Sequence, residues 1–166
     1  IAREVVDRTA ILFKAIKPKG GEMPVVMGSG GSGILLHEAI GHAFEADFNR
    51  KDISIFAGQL NKKVCNEHIN VVDDGTIPFN RGSVNFDDEG VEGQKTYIVK
   101  EGVLTSYLHD RISSKHYGVA PTGNGRRDTF RNVPIPRMRP TYMEAGDMKE
   151  EDIISTVKNG IYAQQF

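Results

Sequence analysis

Between Gly28 and Asp47 a glycine-rich loop runs straight into an apolar segment that carries His37, Glu38 and His42. The two histidines are five residues apart, and that spacing constrains the local fold more than any other feature of the chain. A regular helix turns about 100° per residue, so positions four apart differ by about 40° and positions five apart by about 140°. The familiar H-E-x-x-H pattern can therefore aim both imidazoles at one metal ion, with the glutamate as general base. H-E-x-x-x-H on a regular helix cannot. One extra residue in the turn, a π-bulge, restores the register, and such bulges are frequent at functional sites. Gly41, which has no Cβ, makes the distortion easier. The spacing predicts a bulged or kinked helix between His37 and His42. It makes these two histidines candidate metal ligands and Glu38 the candidate base. Ile34, Leu35, Leu36, Ala39, Ile40, Ala43 and Phe44 flank them, which predicts a partly buried setting where a carboxylate needs a partner such as a metal-bound water. The competing reading is an ordinary set of surface or core histidines.

The loop itself, Gly28-Ser29-Gly30-Gly31-Ser32-Gly33, formally fits G-x-G-x-x-G after a strand and before a helix. A dinucleotide fold also wants an acidic residue at the end of a second strand about 20 residues on. The chain there reads Asp52-Ile53-Ser54-Ile55-Phe56-Ala57-Gly58, which lacks it. No Gly-Lys-Ser/Thr follows for a phosphate-binding loop. Two readings stay open: a turn that lets strand and helix pack closely, or a set of backbone donors near a peptide carbonyl or its oxyanion.

The 166 residues suffice for one domain with a real core, or for part of a larger one. The formal charge of −1 gives no general attraction to nucleic acid or anionic membrane. No apolar run approaches the roughly 20 residues that span a bilayer. One cysteine excludes an internal disulfide and fits a reducing compartment. Ile1 to Lys17 has helical spacing, ended by Pro18 to Gly21, and Met23 to Met27 reads as a strand. Phe48 to Val64 reads as helical or loop-rich, with Ile55, Phe56 and Leu60 as core candidates. Ile69 to Val72 reads as a strand closed by the turn Asp73-Asp74-Gly75. Lys95 to Lys100 and Val103 to Leu108 read as a hairpin through Glu101-Gly102. Asp110 to Tyr117 reads as a short helix, Thr141 to Glu144 as a strand and Lys149 to Lys158 as a helix, with Ile161 to Ala163 opening another segment. Helices and short strands mix without a βαβ rhythm. The expected class is α+β, with a mainly antiparallel sheet and the helix carrying His37 and His42 packed near it.

The acidic cluster Asp87, Asp88 and Glu89 lacks the spacing of a calcium loop and reads as a solvated turn. His68, His109 and His116 read as surface or hydrogen-bonded histidines. Residues 121–140 carry Arg126, Arg127, Arg131, Arg137 and Arg139 among prolines and glycines. Little aromatic interleaving argues against nucleic acid. Carboxylate recognition, an interdomain salt-bridge network and pairing with the acidic cluster all remain open.

The run His37-Glu38-Ala39-Ile40-Gly41-His42 through Arg50 resembles the HExxxH signature of the TldD/PmbA family of metalloproteases, also called modulators of DNA gyrase. The resemblance continues in order through Asp73 to Thr76, Asp87 to Gly90, Gly102 to Leu104, Pro121 to Arg127 and Pro136 to Met138. Because HExxxH is kept, the chain resembles the TldD side of the family. The resemblance implies a zinc-dependent peptidase with His37 and His42 as ligands and Glu38 as base. It implies a third zinc ligand, a cysteine, downstream of this sequence. Cys65 does not match it and reads as a small apolar residue. It also implies unfolded or modified peptides as substrates, a PmbA/TldE-like partner subunit and a cytoplasmic setting. Residues 1–166 would then be one piece of a longer protein, spanning an interdomain helix and the first part of the metalloprotease C-terminal domain. A non-catalytic regulatory binding module is the alternative reading.

Overall fold

A computed structural model describes residues 1–164. In chain order, helix α1 (Ala2–Leu12) leads to strand β1 (Val25–Met27) and helix α2 (Ser32–Leu35). α2 continues into a π-helical segment, Leu36–Gly41, and a 3-10 turn, His42–Phe44. Then come α3 (Ala46–Arg50), β2 (Val71–Asp74), β3 (Lys95–Lys100), β4 (Val103–Leu104) and α4 (Arg111–Tyr117). The chain goes on with β5 (Gly125–Arg126), β6 (Ile135–Pro136), β7 (Thr141–Met143), α5 (Glu150–Ser155) and β8 (Ile161–Ala163). The main sheet has the order β4-β3-β2-β7 and is antiparallel at every pairing. β5 and β6 form a small antiparallel ribbon, and β1 and β8 a parallel pair. The expected α+β class with a mainly antiparallel sheet is what the chain adopts.

The core forms where the sheet meets the segment around His42. Val71, Ile98, Val99 and Leu104 from the sheet pack with Tyr107, Leu108, Phe44, Ala46, Leu36 and Met138. The hairpin expected at Glu101-Gly102 is present, and both residues have positive φ, 50° and 76°, as a two-residue turn of this kind requires. A Cβ on Gly102 would also come within 2.7 Å of the Cys65 and Asn66 carbonyl oxygens. α4 matches its expected span. Asp110 caps it by accepting from Ser113 N–H at 2.7 Å, and Gly118 closes it in the left-handed region.

Several expectations need correction. The second strand of the hairpin stops at Leu104, four residues early. Thr105 and Ser106 N–H both donate to Ile98 O, at 2.8 and 3.3 Å, and the chain peels off the sheet. Leu108 N–H then donates to Phe44 O and Ala46 N–H to Leu108 O, both at 3.0 Å, which ties the end of the 3-10 turn to the core. Asp73 and Asp74 lie inside β2, not in a turn after it. Asp73 is buried because Asn124 Nδ2 (2.8 Å), Arg139 N–H (2.7 Å) and Thr141 Oγ1 (2.6 Å) all donate to its carboxylate. α1 ends at Leu12, before Lys17. Its apolar stripe is real, yet none of its residues is buried among the described residues. Ile55 is exposed, whereas Phe56 and Leu60 do pack against the core.

Candidate metal centre

The bulge predicted by the five-residue spacing is present. His42 N–H donates to His37 O, the i to i−5 bond of a π-helix. This winding stacks residues five apart on one side of the turn. The His37 and His42 rings lie 4.7 Å apart, centroid to centroid, at 80° to each other. One donor atom each from His37, Glu38 and His42 can be chosen so that all three lie within 4.8 Å of one another. Gly41 serves the turn differently from the expectation. Its φ of −56° and ψ of −51° are ordinary helical values open to any residue. A Cβ there would instead overlap Sδ of Met138, which is buried against the turn.

The expected burial of His37 and Glu38 is not observed: both side chains are exposed, and His42 is half-exposed. The turn has only one face on the core, made by Leu36, Gly41 and Phe44 with Ile40 beside them. Ile34 and Leu35 point away from it and are exposed with the two site residues. Apolar neighbours in sequence therefore do not translate into a buried pocket here: His37 and Glu38 are open to solvent and His42 is partly so.

Behind His42 lies a residue that no motif in the sequence marks. Glu45 is fully buried, and its Oε1 lies 3.2 Å from His42 Nδ1. Its Oε2 accepts from Arg137 Nη1 at 2.9 Å. Burial pushes the Glu45 carboxyl above its usual range, while the Arg137 charge and the His42 contact pull it back down. Arg137 is held in turn. Its N–H donates to Asn124 O at 2.9 Å and its carbonyl accepts from Asn124 Nδ2 at 3.0 Å. Asn124 is the buried residue that also donates to Asp73. A continuous set of hydrogen bonds thus runs from the centre of the sheet through Asn124, Arg137 and Glu45 to His42. The signal for Glu45 was its place three residues after His42. Its partner is 92 residues away, and no local pattern could have supplied it.

The remaining candidates fall outside this cluster. Cys65 packs against the core, and burial pushes its thiol above the usual value. His68 and His116 are exposed. His109 is buried beside Tyr107 and Tyr117, and burial pulls it down to about 4 against the opposing charge of Asp110. The acidic cluster is not simply a solvated turn. Asp87 is buried, its Oδ1 accepting from Glu89 and Val91 N–H and its Oδ2 from Gly125 N–H, each at 2.9 Å. Asp88 accepts from Arg127 N–H at 2.8 Å, so the acids hold the arginine-rich loop by its backbone amides. Arg139 is half-buried and donates to Gly123 O and Gly125 O, whereas Arg126, Arg127 and Arg131 are exposed. In the glycine loop the Gly28, Gly33 and Ile34 N–H groups donate to Ala163, Gly30 and Gly31 carbonyls, so these three are not free for an oxyanion. Close approach to β8 accounts for Gly28, whose Cβ would lie 3.1 Å from Tyr162 Oη.

Two imidazoles and a carboxylate make a nitrogen–oxygen donor set suited to zinc, one protein ligand short of the usual catalytic three if Glu38 is kept as a base. Residues 20–166 match the family model described as the PmbA/TldA metallopeptidase C-terminal domain. The chain is 46% identical over 165 residues to a metalloprotease TldD homolog of Haemophilus influenzae, covering 99% of this chain and 34% of that protein. It is 39% identical over 151 residues to a zinc metalloprotease TldD homolog of Saccharolobus solfataricus, covering 90% and 34%. It also superposes on the crystal structure of TldE from Thermococcus kodakarensis with a TM-score of 0.75 and 27% identity, covering 91% of this chain and 35% of that one. The chain spans about a third of the length of the curated relatives it matches.

Proposed function

The chain belongs to the PmbA/TldA metallopeptidase family, and from that premise we propose that it carries the base and two of the metal ligands of a zinc-dependent peptidase. The observation that supports this reading most is the bond from His42 N–H to His37 O, which turns residues five apart toward one point. His37 and His42 would hold the zinc as neutral imidazoles, with a cysteine from outside residues 1–166 as the third ligand. The name of the Saccharolobus solfataricus relative supports zinc as the metal. When bound, zinc supplies Lewis acidity that polarises a scissile carbonyl and lowers the pKa of water toward neutrality. Glu38 takes a proton from the attacking water onto a carboxylate oxygen and passes it to the leaving amine nitrogen. The exposed faces of His37 and Glu38 leave room for an extended peptide to approach.

The substrates in this reading are unfolded or modified peptides in the cytoplasm. The second subunit is PmbA- or TldE-like, a relationship that the likeness to TldE supports. α1 is the helix that joins this region to a preceding domain. The test is Glu38→Gln in the full-length protein with an unstructured peptide as substrate. Loss of a proton-transfer group predicts a fall in cleavage of about 10²–10⁴-fold with bound zinc retained. An unchanged rate would remove Glu38 from the base role; a zinc-loaded wild type that binds the peptide without cleaving it would favour a non-catalytic binding module.

A further inference from the structure

We propose that Glu45 is a positioning residue for this centre: it accepts the Nδ1 proton of His42 and thereby presents Nε2 of that ring, unprotonated, to the metal. The inference rests on the reading of His37 and His42 as ligands. Three observations carry it. Glu45 Oε1 stands 3.2 Å from His42 Nδ1 and the carboxylate is fully buried, so water does not compete for it. Arg137 Nη1 occupies the other carboxylate oxygen at 2.9 Å and fixes its orientation. Arg137 is itself fixed at both backbone groups by Asn124, which is fully buried. An imidazole has two nitrogens, and the partner of one decides which the other offers. With Nδ1–H engaged by a buried carboxylate, only Nε2 retains a lone pair for a ligand. Outer-shell partners of this kind orient a ligating histidine and raise its basicity.

The experiment uses the full-length protein, with the probe being zinc alone. Histidine-selective ¹⁵N NMR of the metal-free wild type should give His42, assigned by His42→Gln, a protonated Nδ1 and an unprotonated Nε2. Glu45→Gln should disturb that tautomer and weaken zinc binding about 10–100-fold in chelator competition. A role confined to packing would lower the unfolding midpoint without moving the tautomer. Zinc affinity within twofold of wild type in Glu45→Gln, while His37→Ala loses the metal, would overturn the positioning role and leave the metal centre standing. Wild-type affinity in His37→Ala and His42→Ala would overturn the centre itself, and the positioning role with it. Should Glu45→Gln fail to fold, the wild type alone decides: a His42 ring protonated at Nε2 contradicts the proposal.

Discussion

Gly41 shows how a neighbouring side chain can require that a position carry none. Its backbone is ordinary helix, but Met138 occupies the volume a methyl group would need. Gly41→Ala should cost about 1–3 kcal/mol through overpacking, read as a lower unfolding midpoint. Combined with Met138→Ala the two costs should not add, because they share one contact. His109 is a second residue with a measurable consequence. Burial lowers it to about 4, below the ordinary histidine value near 6.5, so the unfolded chain takes up its proton first as pH falls. The contribution is fully present above pH 6.5 and is lost as pH falls toward 4. Stability should drop by about 1–3 kcal/mol over that window, and His109→Phe should flatten the profile in denaturant titrations. At this scale His37, Glu38 and His42 were legible because their relation is a local spacing. Glu45 as the partner of His42 was not, because its burial depends on Leu108 and Arg137, both remote in sequence. The exposure of His37 and Glu38 is not legible in the sequence, because apolar neighbours along the chain say nothing about which face of the turn the core occupies.

Elements differ in how far sequence alone defines them. The π-segment follows from the five-residue histidine spacing only if both rings serve one function, whereas the Glu101-Gly102 turn and the Asp110 cap follow from residue chemistry directly. Asp110→Ala should cost about 1 kcal/mol by leaving the first turn of α4 uncapped. The extent of β4 was not legible, because Leu108 leaves the sheet to pair with the chain around Glu45. Asp73 and Asp74 looked like turn residues because acids are rare in strands. Asp73 is stable there through three donors that come from residues 124–141. Amide exchange should reflect the same contrast. β2 and β3 at the centre of the main sheet should be the slowest elements to exchange, and α1, with no buried residue, should exchange rapidly along its whole length.

The molecule as a whole couples a buried sheet to the open turn that carries His37, Glu38 and His42. The hydrogen bonds from Asp73 through Asn124, Arg137 and Glu45 end at His42, while Leu36, Phe44 and Met138 seat the same turn on the core. α1, Ile34, Leu35, Val25 and Met27 keep their apolar side chains exposed. The measurement that bears most directly on this account is the zinc content of the full-length protein, by elemental analysis, for wild type, His37→Ala and His42→Ala. The wild type should hold about one zinc per chain, and both variants should lose it. A wild type that purifies without zinc and takes none up when it is supplied would contradict the metallopeptidase reading.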